Sequence, residues 1–217
     1  MEGGGQMIIN PFFHDIEQDH SDGSDWHEMR LGMFTASMIS DLFMDKKTAG
    51  YQNCIINVAF ERVTGKRQYQ FHNKWMQYGN DTEFEAREFY QQFTLNTVSN
   101  GGIWIASDWF CASPDGKIEG KNGGIELKCP AVNTYLAYIE SLQKFGVTKV
   151  PTEYYLQMQA QMLATGWDFV DYMPYYSGEL KQLLTRVYRD ELVINQMLVR
   201  LDEAVKDAEI MIERIKR

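Results

Sequence analysis

The chain has 217 residues, 44% of them hydrophobic, with a formal net charge of −9; that length and apolar content suit one large core and a single domain spanning 1–217. No apolar run reaches the roughly 20 residues of a bilayer-spanning helix, and Met1-Glu-Gly-Gly-Gly-Gln6 has neither the basic segment nor the apolar block of a secretory leader, so the expectation is a cytoplasmic protein with no membrane partner. The charge excludes indiscriminate affinity for polyanions, which rests on Lys and Arg neutralising phosphates, while leaving room for a local basic channel. Cys54, Cys111 and Cys129 are odd in number and lack Cys-x-x-Cys spacing, against a disulfide framework, a zinc ribbon or an iron–sulfur site.

Residues 1–23 are polar and Gly-rich apart from Met7–Phe13, which reads as a loosely ordered segment with one short apolar anchor. In Thr35–Phe43, Thr35 is a plausible N-cap for a helix beginning near Ser37. Such an N-terminus accepts phosphate, and Arg30 just upstream offers a forked donor for the same anion; a capped surface helix with Arg30 in an ion pair is the alternative. Tyr51–Thr64 is expected to be helical, with Ile55, Ile56, Ala59 and Val63 inward and Gly65 as C-cap. Asn73–Phe93 is a longer helical pattern in which Glu83, four residues after Gly79, could turn toward a site. Leu95–Ser99 and Ile103–Ser107 read as strands joined by Asn100-Gly101-Gly102.

The stretch from Ala112 to Pro130 combines a Gly-rich turn, Gly120–Gly124, with a return strand, Ile125–Cys129. Side chains alternate along a strand, so Ile125, Leu127 and Cys129 point into a core, while Glu126 and Lys128 share the other face and can meet Asp115 at the mouth of the hairpin. Two carboxylates and an ammonium suit phosphodiester hydrolysis: the carboxylates hold Mg²⁺, and the lysine supplies fixed positive charge. A surface hairpin carrying an ion pair fits the same residues. Asn133–Lys144 follows as a helix with Leu136, Ala137, Ile139 and Leu142 inward, then Thr152–Thr165 with Pro151 before it and Gly166 after it. In the latter, Gln157 and Gln161 share a face with Tyr154 beside them, and Gln159 does not. Asp168–Tyr176 and Leu183–Arg189 read as strands, and Glu191–Lys216 as a long amphipathic helix through Leu192, Ile194, Leu198, Leu201, Val205, Ile212 and Ile215, either solvated outside or making a subunit contact. This order of elements indicates α+β (mixed α/β), a central mixed sheet flanked by helices.

Trp26-His-x-x-Arg-Leu-Gly32 with Thr35-Ala-Ser37, Gly79-x-x-x-Glu83, Ser113-Pro-Asp-Gly116, Gly124-Ile-Glu-Leu-Lys-Cys-Pro130 and Tyr154-x-x-Gln157-x-Gln159 together resemble the bacteriophage lambda exonuclease and YqaJ-type viral recombinase family, within the PD-(D/E)XK nucleases. The resemblance implies a restriction-endonuclease-like core and a Mg²⁺-dependent (Mn²⁺-tolerant) exonuclease digesting one strand of duplex DNA from a 5′ end. Partners implied are double-stranded DNA ends, a single-strand annealing protein and two further copies in a homotrimeric ring. It implies Asp115, Glu126 and the Leu127 carbonyl as metal ligands, Lys128 positioning or activating water, and Glu83 as a further acidic member. Arg30, Ser37, Ser113 and Gln157 would hold the 5′-phosphate, and Met76 would wedge apart the terminal base pair. Tyr78 stands where the family has tryptophan, and the N-terminal segment departs from the family pattern. An endonuclease or RecB-type repair nuclease of the same superfamily, or a noncatalytic DNA-binding scaffold, are the alternatives.

Overall fold

The computed structural model describes residues 9, 11–15, 24–67, 74–146, 149–177 and 183–217, with the backbone alone described at 24–25, 74–81 and 145. The expectation for 1–23 falls largely outside the described residues; Phe12–His14 forms strand β1. Then come α1 (Ser24–Glu28), β2 (Phe34–Thr35), a 3₁₀ turn (Ala36–Met38), α2 (Ile39–Leu42), α3 (Ala49–Thr64), α4 (Lys74–Thr94), β3 (Val98–Ser99), β4 (Ile103–Ser107), β5 (Phe110–Ala112), β6 (Gly116–Ile118) and β7 (Gly123–Lys128). The chain closes with α5 (Val132–Phe145), α6 (Thr152–Thr165), β8 (Phe169–Pro174), β9 (Thr185–Tyr188) and α7 (Glu191–Lys216).

The fold is the expected α+β class, but the described strands form two mixed sheets: β1-β4-β5-β2 and β3-β6-β7-β8-β9. The strands around Asn100-Gly101-Gly102 are therefore not paired with each other, since β3 joins β6 and β4 joins β5. The reason is a close crossing: a Cβ on Gly101 would lie 1.8 Å from the Pro114 carbonyl oxygen. The glycines let the chain pass against the hairpin and change sheets instead of turning back on itself.

Helix ends follow local chemistry. The Thr48 hydroxyl accepts from Tyr51 N ahead of α3, Asp190 accepts from Leu192 N and Val193 N ahead of α7, and Gly65 and Gly166 close α3 and α6 in the left-handed region. The inward faces differ from the periodic expectation: Ile56, Leu136 and Leu192 are 38%, 44% and 77% exposed. Ile55, Ala59, Ile194 and Leu201 are buried as expected, and the stripes continue through Cys54 and Val58, through Tyr135 and Tyr138, and through Met197, Ala204 and Ala208. Small residues on α7 allow close packing on α3, and shape complementarity outweighs the hydrophobicity of a single side chain.

Helix α6 lies at the centre. Leu156, Ala160, Leu163 and Ala164 pack with α2, α3, α7 and β5, and Met158 and Met162 pack with Trp167, Val170, Tyr172 and Val187 on the other side. A third cluster joins Ala86 and Tyr90 of α4 to Ile118, Ile125, Leu127 and Met173 of the five-stranded sheet. Burying Ile125 and Leu127 contributes about 1.5–3 kcal/mol each, which anchors β7 by one face and leaves the other for polar groups.

Candidate active site

Strands β6 and β7 pair antiparallel with Gly116 opposite Ile125. One step further along that ladder Asp115 stands opposite Glu126, so their side chains share a face. Pro114, which has no N–H to donate, ends the ladder there. The Asp115 carboxylate accepts from Leu127 N at 2.6 Å and takes the place of a strand partner. The start of β7 lies tight against Trp167, because a Cβ on Gly124 would come within 2.0 Å of its ring.

Glu126 is fully buried. Lys128, two residues along and on the same face, makes an ion pair with its Oε1, and Gln157 Nε2 donates to Oε1 at 2.7 Å. Gln161 Nε2 donates to Oε2 at 2.5 Å. The shared face of Gln157 and Gln161 is thus directed at one carboxylate. Gln159, on another side of α6, donates to the Tyr188 carbonyl and accepts from Asp190 N, tying α6 to the junction of β9 and α7. Tyr154 lies 5.1 Å from Lys128 Nζ, ring centre to nitrogen, and stacks on Tyr172.

Burial is the largest influence on Asp115 and, with the charges of Glu126 and Glu83, raises its carboxyl well above the usual range; Lys128 and the Leu127 N–H oppose this without reversing it. Burial alone would lower the Lys128 ammonium, but Glu126 and Asp115 outweigh it and hold the group above the ordinary lysine value. The Cys129 thiol is pushed up to about 12 by burial, Glu83 and Asp115, which makes it inert packing. Glu83, on α4, is therefore electrostatically within reach of the hairpin while its Oε1 receives Arg87 Nη2 at 3.2 Å.

Among the described residues no three His, Cys, Asp or Glu side chains form a ready-made metal cage. Mg²⁺ does not need one, since it is commonly held by one or two carboxylates and keeps several waters. Asp115 and Glu126 are the pair whose oxygens suit such an ion. The repulsion that raises Asp115 is what a divalent cation would relieve.

The residues expected to hold a terminal phosphate divide into two neighbourhoods. The Arg30 guanidinium lies 3.8 Å over the Trp26 ring, Trp26 Nε1 donates to Ser113 Oγ at 3.0 Å, and Ser113 donates on to the Gly102 carbonyl. Arg30 Nε is buried without a hydrogen-bond partner among the described residues, and burial lowers the guanidinium from its usual value. Ser37 shares a hydrogen bond with Thr35 Oγ1 at 3.0 Å. Gln157, by contrast, is engaged with Glu126. The helix expected from Ser37 is a 3₁₀ turn followed by the four residues of α2, and Thr35 makes no capping hydrogen bond; so short a segment lends little dipole to an anion. Gly79 lies in α4, and the side chains of Met76 and Tyr78 fall outside the described residues. Gln161 went unassigned in the sequence, although its spacing from Gln157 was the available signal.

The mixed-sheet α+β core, which carries paired carboxylates and a lysine on one hairpin, is a nuclease-like fold. The profile of the YqaJ-like viral recombinase domain matches residues 25–168, and the chain belongs to that family. It is similar to the crystal structure of an alkaline exonuclease, LHK-Exo, from Laribacter hongkongensis, at 32% identity and TM-score 0.77 over 89% of this chain and 96% of that one. The same exonuclease in complex with dAMP matches at 33% identity and TM-score 0.76, with the same coverage. A phage-related exonuclease from Haemophilus somnus 129PT shares the fold at 16% identity and TM-score 0.66, over 84% of this chain and 96% of that one. No curated protein sequence matches.

Proposed function

We propose that the protein is a Mg²⁺-dependent exonuclease that removes one strand of linear double-stranded DNA in the 5′-to-3′ direction, exposing the other to a single-strand annealing protein during phage-type recombination. The observation that carries this reading is the convergence of Asp115, Glu126 and Lys128 on one face of a buried hairpin. The exonuclease names of the structures that the chain resembles support it, and a deoxynucleotide is bound in one of them.

Asp115 and Glu126 would hold the metal, with the Leu127 carbonyl as a third oxygen and Glu83 adding negative charge beside them. When bound, Mg²⁺ supplies Lewis-acid polarisation of the phosphate and a more acidic water; Mn²⁺ can replace it. Lys128, kept protonated by its carboxylate neighbours, acts as a fixed positive charge for the phosphate oxygens. Arg30, Ser113 and Ser37 would receive the 5′-phosphate. The deciding experiment compares 5′-phosphorylated linear duplex with closed-circular duplex, in Mg²⁺ or in chelator. Digestion of the linear substrate alone, abolished by chelator, is expected. Cleavage of the closed circle would make the protein an endonuclease, and no cleavage of either would leave a DNA-binding scaffold.

A further inference from the structure

We infer that Gln161 is a positioning residue for Glu126: with Gln157 it forms a two-amide clamp on helix α6 that sets how the Glu126 carboxylate is presented to a divalent cation. This rests on the reading of Glu126 as a metal ligand. The two glutamines are one helical turn apart, so their amides emerge from the same face, and each takes a different oxygen, Gln157 on Oε1 at 2.7 Å and Gln161 on Oε2 at 2.5 Å. A carboxylate held at both oxygens cannot swing about its last bond. Loss of a residue that orients a ligating group in this way typically costs about 10- to 100-fold in metal affinity.

The chemistry of the clamp matters as much as its geometry. Lys128 already pairs with Oε1, so an arginine or lysine at 161 would orient Glu126 equally well but would put a second cation on the carboxylate and leave it little charge to attract a metal. A neutral amide orients it without competing. Gln161 also carries a cost that packing does not explain: the residue is fully buried, and its Oε1 has no hydrogen-bond partner among the described residues. Leucine or methionine would fill the space without an orphaned acceptor. Flipping the amide gives no relief, because Oε1 would then face the Glu126 oxygen. The clamp is rigid at its base, since Ala160, Met162, Leu163 and Ala164 around it are all buried.

The test is calorimetric titration of the full chain with Mn²⁺ in the absence of DNA, alongside thermal unfolding, for wild type, Gln161→Met and Gln159→Met. Gln159 is the matched control, equally buried on the same helix but bonded to Tyr188 O and Asp190 N. Gln161→Met is expected to weaken Mn²⁺ binding about 10- to 100-fold, the range for residues that orient a metal ligand, whereas Gln159→Met lowers the melting temperature and leaves Mn²⁺ affinity at the wild-type value. Gln161→Asn, one methylene shorter, retracts the donor while keeping the polar interior, and should show the same loss if the methionine variant does not fold. Equal losses at 159 and 161, or wild-type affinity in both position-161 variants, would overturn the inference while the metal site stands. A wild type that binds no Mn²⁺ would overturn the metal-site reading and this inference with it.

Discussion

At the scale of single residues, Asp115 concentrates the chemistry and the instability of the site. Its carboxyl is raised by burial and by Glu126 and Glu83, so the folded protein binds this proton more tightly than the unfolded chain does. That contribution to stability is complete below the ordinary carboxylate value of about 4 and is lost as pH climbs through the raised folded value. In chelator, the melting temperature of wild type relative to Asp115→Asn should therefore fall as pH rises above about 4. Asp115→Asn, which cannot ionise, should melt higher than wild type at neutral pH and show a flatter profile; an identical decline in the variant would show that another group is responsible. On the proposed assignment of both carboxylates to the metal, Asp115→Ala and Glu126→Ala should lose metal-dependent cleavage. Lys128→Ala should still bind DNA but cleave about 10²-fold or more slowly, as expected for removing one electrostatic stabiliser. Arg30 predicts a different readout. A forked cation on the terminal phosphate contributes about 1.5–3 kcal/mol, so Arg30→Ala should erase most of the preference for 5′-phosphate over 5′-hydroxyl duplexes, measured as the ratio of digestion rates. A mutant that retains the full preference would place the phosphate elsewhere.

At the scale of elements, the site depends on how α4 and α6 are tied to the five-stranded sheet. Tyr90 of α4 donates to Asp171 of β8 at 2.7 Å, and Arg186 of β9 grips the same carboxylate through Nε at 2.7 Å and Nη2 at 2.9 Å. The carboxylate is almost fully buried, so it needs those partners. Because α4 also carries Glu83, this latch holds one acidic group beside the hairpin. Tyr90→Phe removes a hydrogen bond to a charged acceptor and should destabilise by about 1–3 kcal/mol, read as a lower urea midpoint with an unchanged slope. An unchanged midpoint would mean that Arg186 alone satisfies Asp171. The two glutamines of α6 act from the opposite side of the site, and their helix is set between two apolar clusters.

At the scale of the whole molecule, α7 covers α3 with its buried stripe and leaves Leu192, Val199 and Ile210 exposed at 77%, 59% and 53%. We expect a homotrimer, on the strength of the family resemblance together with this apolar outer surface, and multi-angle light scattering at micromolar concentration measures it directly. A monomer that remains fully active and processive would contradict the ring. Association through α7 would further predict that Val199→Lys lowers the assembled fraction without lowering the monomer's melting temperature, since the side chain contributes little to the core.

Much of this was already determined by the sequence. The alternation Ile125-Glu-Leu-Lys-Cys129 requires apolar side chains on one face of a strand and Glu126 with Lys128 on the other, whatever packs around them, because strand geometry has a period of two. Gly65, and Pro151 with Gly166, similarly bounded α3 and α6 to within a residue or two, the apolar period set α7, and the 100° step of a helix separated Gln159 from Gln157 and Gln161. The tertiary structure decided what no local period contains. It chose which of several apolar stripes face inward, because close packing of α3 on α7 favours Ala204 and Ala208 over the more hydrophobic Leu192. It sent the strands flanking Gly101 to different sheets, because Gly101 meets the Pro114 carbonyl from a distant turn. It also directed both α6 amides at Glu126, because only the packed interior brings residues more than 30 positions apart within a hydrogen bond of one carboxylate.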